Sequence, residues 1–127
     1  MTMNHMVSAI LAMEYQITGH LSCPSVASSS SAIAIGEAYR LIKHGYQDRM
    51  ITGGVDFNLN RHFFEGMELF GANCNKFNDN PTKASMPYDV KRQGPVMSDG
   101  GAVLVLENLE VALKRGANIY CEIAGYS

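Results

Sequence analysis

The chain has 127 residues, close to half of them apolar, and a formal net charge of −2. That length suffices for one modest domain. Ten basic residues against twelve acidic ones, with no basic run, give no support for nucleic acid or an acidic membrane as partner. No apolar stretch reaches the length needed to span a bilayer. The first residues lack a charged region followed by an apolar core, so no secretory signal is expected. Glu14 and the scarcity of arginine argue against a transit peptide. Cys23, Cys74 and Cys121 are odd in number and lack metal-type spacing. They read as free thiols of a reducing compartment, and no metal or other cofactor is expected.

Met3 to Tyr15 places Met6, Val7, Ile10 and Leu11 at helical spacing, an amphipathic helix. Gly19 and Pro24 bracket the approach to a short apolar stretch, Leu21 to Ala27, which reads as a strand. Four serines follow, Ser28 to Ser31, and then a helix running to Gly45. That helix is apolar on nearly every side, with Glu37, Arg40 and His44 as a thin polar stripe; such a helix is a buried one. The serines stand where strand must turn into helix. Serine is a favoured N-cap, because its hydroxyl accepts a bond from an unpaired backbone N–H. Strand, tight turn and buried helix is also how many enzymes present a nucleophile at a helix N-terminus, where the dipole favours negative charge.

Gly45 is a helix stop. Arg49 to Val55 is a second short strand, whose Gly53 and Gly54 let backbones approach closely. Between Asn58 and Phe70, the residues Phe63, Phe64, Met67 and Phe70 fall at helical spacing. Gly71 to Met86, rich in Asn, Asp and Pro, is a loop. Ala102 to Glu107 is the clearest strand. Asn108 then caps a helix to Arg115, with Glu110 in its first turn and Lys114 and Arg115 in its last, as the macrodipole favours. Ala117 to Tyr126 reads as a last strand, with Ile119 and Cys121 alternating with polar neighbours. Strands alternating with helices give an α/β arrangement.

In this order the pieces resemble the beta-ketoacyl-acyl-carrier-protein synthases, the condensing enzymes of fatty-acid and polyketide synthesis. The nucleophile elbow of that family reads Thr-Ala-Cys-x-x-Gly ahead of a buried helix. Aligning Ile35-Gly36-Glu37-Ala38 with that helix puts Val26-Ala27 on the Thr-Ala, Ser28 on the catalytic Cys and Ser31 on the Gly. Phe77 to Asp89 resembles the family's Asn-Asp-x-Pro-x-x-Ala-Ser-Arg-Pro-Phe-Asp. Lys91 to Ala102 resembles its Lys-Arg-Asp-Gly-Phe-Val-Met-Gly-Glu-Gly-Ala-Gly. The resemblance covers nearly the whole chain and implies a middle portion of a thiolase-like fold: mostly its N-terminal half, with the start of the C-terminal half near residues 117–127.

The resemblance implies acyl transfer to a thiolate, followed by decarboxylative condensation with malonyl-acyl carrier protein. Acyl carrier protein and acyl and malonyl thioesters are the implied partners, in a cytoplasmic or organellar compartment (mitochondrial matrix or plastid). It also implies a homo- or heterodimer, joined through the strand that here runs roughly from Gly19 to Ala27. A thiol of pKa ~8.5 is brought to thiolate by a helix N-terminus. A serine hydroxyl is not, and needs a general base within hydrogen-bond reach. The family's two His and its Lys come from the second half, and His5, His20, His44 and His62 fall outside those motifs. Ser28 is therefore read either as the nucleophile position or as a small N-capping residue at a vestigial site. Met67 aligns with a family Phe that borders the acyl pocket; its other reading is a core methionine. Gly71 and Met86 stand where the family has Arg, and Gln93 where it has Asp. Two functions follow: a synthase homologue that is inactive as this isolated chain, or a non-catalytic partner, chain-length-factor-like or malonyl-decarboxylating. A serine acyl-hydrolase fits poorly, because Gly-x-Ser-x-Gly is absent.

Overall fold

The computed structural model describes residues 3–127. Along the chain run α1 (Met6–Glu14), α2 (Ser30–Lys43), β1 (Arg49–Asp56), α3 (Arg61–Leu69), a 3-10 turn (Pro81–Lys83), β2 (Gly100–Glu107) and α4 (Leu109–Lys114). They form two units, one of Met1–Gly54 with Ala102–Ser127 and one of Val55–Gly101.

In the first unit β1 and β2 pair as a two-stranded sheet. The pairing is antiparallel: the Asn108 N–H donates to the Asp48 carbonyl at 2.9 Å, while Gly53 lies against Ala102 and Val103. A Cβ at Gly53 would run into the Ala102 carbonyl oxygen, so this crossing tolerates only glycine. At the other end of the ladder Glu107 takes Arg49 at 2.6 Å and Arg115 at 2.7 Å, and its side chain is only 7% exposed. The hydrogen bonds from Arg115 and then Arg49 hold the Glu107 carboxyl down at about 2, and the same contact raises Arg115. This triad fastens both strands to the end of α4. Asn108 opens α4 as expected, its Oδ1 accepting from the Glu110 and Val111 N–H groups at 2.9 and 3.4 Å.

Two expected strands are not strands. Residues 21–27 form only an isolated bridge between Val26 and Ser28, and residues 117–127 are irregular. A strand is held by a ladder partner, and among the described residues β1 and β2 have only each other. The C-terminal segment is instead tied to α2 through side chains. The Tyr126 ring lies flat against Gly36, where an added Cβ would collide with it. The Arg40 guanidinium sits 5.0 Å from the centre of that ring, and the Tyr39 hydroxyl donates to the Ala124 carbonyl at 3.3 Å. The expectation of a wholly buried α2 also needs correction. Only its Gly36, Ala38 and Ile42 are buried, because the chain's own elements cover one side of it. Among the described residues these and Ala112 make up the buried apolar core of this unit, and no residue of α1 is fully buried.

In the second unit α3 starts at Asn60, whose Oδ1 accepts from the Phe63 N–H at 3.0 Å. It stops at Gly71, which takes a φ of +64° while the Gly71 and Ala72 N–H groups close onto the Glu68 and Met67 carbonyls. Glycine adopts that conformation at little cost. The following loop is ordered by Asn73, buried and donating to the Phe64 carbonyl at 3.0 Å. The Cys74 N–H reinforces it by donating to the Pro95 carbonyl at 3.1 Å.

Candidate functional site

Ser28 stands in the turn just ahead of α2, exposed to solvent. The residue before it, Ala27, has a φ of +49°, a left-handed conformation uncommon for a residue with a side chain. Ser31 is already helical, so the conformational demand of the turn falls on Ala27 and not on Ser31. What Ser31 does require is room. A Cβ at Gly54 would come within 2.6 Å of the Ser31 Cβ, so the bare backbone of β1 is what admits a serine there.

The hydroxyl that organises the turn belongs to Ser30. Its Oγ accepts from the Val26 N–H at 2.8 Å and donates to the Ala27 carbonyl at 2.7 Å. Ser29 occupies the N-cap position of α2 and makes no side-chain capping bond. Upstream, the Ser22 hydroxyl donates to Glu37 at 3.2 Å, Asn4 Nδ2 donates to the Ser25 hydroxyl at 3.1 Å and the Cys23 thiol donates to the Asn4 carbonyl at 3.2 Å. These contacts fasten the approach segment to α2 and to the residues that lead into α1. None of them engages the Ser28 hydroxyl. The open first turn of α2 beside Ser28 favours a negative charge, with the full strength of the helix dipole confined to that turn.

Met67 is half-buried in α3. In its unit a shallow depression is lined by Ser85, Met86, Arg92 and Pro95 among others, and Met67 does not line it. Among the described residues no three His, Cys, Asp or Glu side chains are grouped to hold a metal ion. Sequence reasoning missed two contacts, one at this turn and one farther along α2. Ser30 is hidden in a run of four serines, and only its offset from Val26 and Ala27, one helical turn back, hints at its role. Nothing in the sequence pairs Tyr126 with Gly36.

Residues 1–112 match the family model for the N-terminal domain of beta-ketoacyl synthase. The 3-oxoacyl-[acyl-carrier-protein] synthase 1 of Haemophilus influenzae is 46% identical over 125 residues, which cover 98% of this chain and 30% of that protein. A putative mitochondrial 3-oxoacyl-[acyl-carrier-protein] synthase of Schizosaccharomyces pombe is 38% identical over 96% of this chain and 29% of its own length. Among solved structures, a type II polyketide ketosynthase, in complex with its acyl-carrier protein and bound to a hexaketide, superimposes with a TM-score of 0.92. It is 30% identical, over 95% of this chain and 30% of that one. The ishigamide ketosynthase/chain length factor superimposes with a TM-score of 0.85 at 30% identity, over 97% of this chain and 29% of that one. The α/β arrangement is thus part of a thiolase-like ketosynthase fold, and the chain spans about 30% of the length of the relatives it matches. The turn ahead of α2 and the helices and strands that follow are those of the N-terminal domain of a beta-ketoacyl synthase, the family to which this chain belongs.

Proposed function

We propose that the chain is a portion of a beta-ketoacyl-acyl-carrier-protein synthase homologue of fatty-acid biosynthesis, with Ser28 at the acyl-accepting position. The observation that carries this reading is the elbow itself, an exposed side chain at the open start of α2, within the residues that match the synthase family model. In the family's full reaction the cysteine at this position takes the acyl group from a thioester, releasing the carrier thiol. Malonyl thioester then loses CO2, and its carbanion attacks the acyl carbonyl, so that the bond to the side chain breaks, the side chain is set free and a 3-oxoacyl thioester forms. A complex of a similar ketosynthase with its acyl-carrier protein supports the same class of partner here. Bacterial and mitochondrial synthases among the relatives fit a bacterial cytoplasm or an organelle, and no helix among the described residues is long and apolar enough to cross a membrane.

The chain by itself does not condense. A helix dipole does not ionise a serine hydroxyl, and among the described residues no base is hydrogen-bonded to Ser28. The test is incubation of the purified chain with acyl thioester and radiolabelled malonyl thioester. No 3-oxoacyl product is expected, and its appearance would overturn the reading. A second reading, a non-condensing partner of an active synthase, is favoured by Ser28 and by the likeness to a ketosynthase/chain length factor. Release of CO2 with formation of acetyl thioester, and no condensation, would select it.

A further inference from the structure

We propose that Ser30 is the positioning residue of the elbow. Its hydroxyl fixes the backbone on both sides of Ala27 and thereby presents the side chain of residue 28 at the start of α2. The inference rests on the reading of position 28 as the acyl-accepting position.

Three observations carry it. Ala27 is held at φ +49°, where a residue with a Cβ does not stay unless its surroundings hold it. The Ser30 hydroxyl brackets that residue, taking the N–H of Val26 before it and giving its proton to the carbonyl of Ala27 itself, with both bonds short at 2.8 and 2.7 Å. Its one proton is committed to Ala27 and a lone pair to Val26, so the rotor has one orientation. Finally, Ser30 is the half-buried member of the serine run, whereas Ser28, Ser29 and Ser31 are exposed. A serine inside a helix commonly bonds back to a carbonyl three or four residues earlier. This one also accepts an N–H from four residues back, and so joins the first turn of α2 to the segment that leads into it. Removing the hydroxyl frees the Val26 N–H and leaves the Ala27 carbonyl only the longer bond from the Ser30 backbone N–H at 3.2 Å, so position 28 is held less firmly against the helix start.

The test uses Ser28→Cys as a reporter. Iodoacetamide labelling of each thiol is followed by peptide mass spectrometry, with and without Ser30→Ala, and with Ser30→Thr, which keeps the hydroxyl. Loss of the Ser30 hydroxyl is expected to slow labelling of the introduced thiol about two- to fivefold, the range a helix end imposes on a thiolate. Val26 amide exchange should speed up, Cys74 labelling should stay unchanged, and Ser30→Thr should restore both rates. An unchanged introduced thiol and Val26 amide in Ser30→Ala would overturn the inference, as would a Ser30→Thr chain that behaves like Ser30→Ala. The reading of position 28 is tested separately, by whether the introduced thiol labels faster than Cys23, Cys74 and Cys121. The ratio with and without the Ser30 hydroxyl reads the present inference whatever that comparison gives.

Discussion

Gly36 offers a test of how the C-terminal segment is held on α2. In the interior of a helix, glycine is less stable than alanine by about 0.5–1 kcal/mol. Gly36→Ala should therefore stabilise α2 if nothing lies over it. Here the Tyr126 ring does, and the new Cβ would occupy its place. Overpacking of this kind costs about 1–3 kcal/mol. The lower end applies, because residues 117–127 have no ladder and the ring can swing away. What is lost is the packing on Gly36 and the contact with Arg40 at 5.0 Å, itself about 0.5–1 kcal/mol at an exposed site. Gly36→Ala alone is thus expected to range from neutral to about 1 kcal/mol destabilised. With Tyr126→Ala already present, the same change is expected to stabilise by about 0.5–1 kcal/mol. Urea unfolding of the four variants, followed by far-UV circular dichroism, gives the coupling, expected at roughly 0.5–2 kcal/mol. Additivity within about 0.5 kcal/mol would mean that the ring does not rest on Gly36, and the docking of the C-terminal segment would fall with it.

Two further outcomes are expected. The Glu107 carboxyl drops from its ordinary 4.5 to about 2 on folding, so the triad's contribution is complete above about pH 4.5 and is lost as pH falls towards 2. An acid titration of stability should be flatter for Glu107→Gln than for the parent, and equal slopes over that window would count against the triad. The exposed apolar side chains of α1, together with Val103 and Val105 on β2 and the unladdered segment 21–27, should drive association. Sedimentation at micromolar concentration should show oligomers, and a single well-behaved monomer would refute this.

The elements whose signals are local were legible in the sequence. Asn108 stands at an N-cap, Gly45 takes a positive φ just past the end of α2, and Gly53 and Gly54 mark the close approaches of β1. Each depends on backbone geometry a few residues away. Residues 21–27 and 117–126 carry apolar content of the strand type but lack a ladder, since a strand depends on a partner that local pattern does not reveal. At the elbow, the motif placed Ser28 at the turn and raised the loss of glycine at Ser31. It did not locate the strain at Ala27, because only the three-dimensional turn shows which residue takes the left-handed conformation.

The elbow also separates presentation from chemistry. Ala27 and Ser30 shape the turn just ahead of α2 in which Ser28 stands, the position read as that of the family's thiol. A helix end contributes about 0.3–1 kcal/mol to a nearby negative charge, less than one pKa unit. For a thiol of pKa ~8.5 that is enough to raise the thiolate fraction several-fold near neutral pH. For an alcohol, whose ionisation lies many units higher, the same contribution leaves the reactive fraction negligible. Its nucleophilicity depends on a base that removes the proton as the bond forms. The same turn that would make cysteine reactive thus leaves serine inert, and retention of the turn is by itself no sign that the chemistry has been retained.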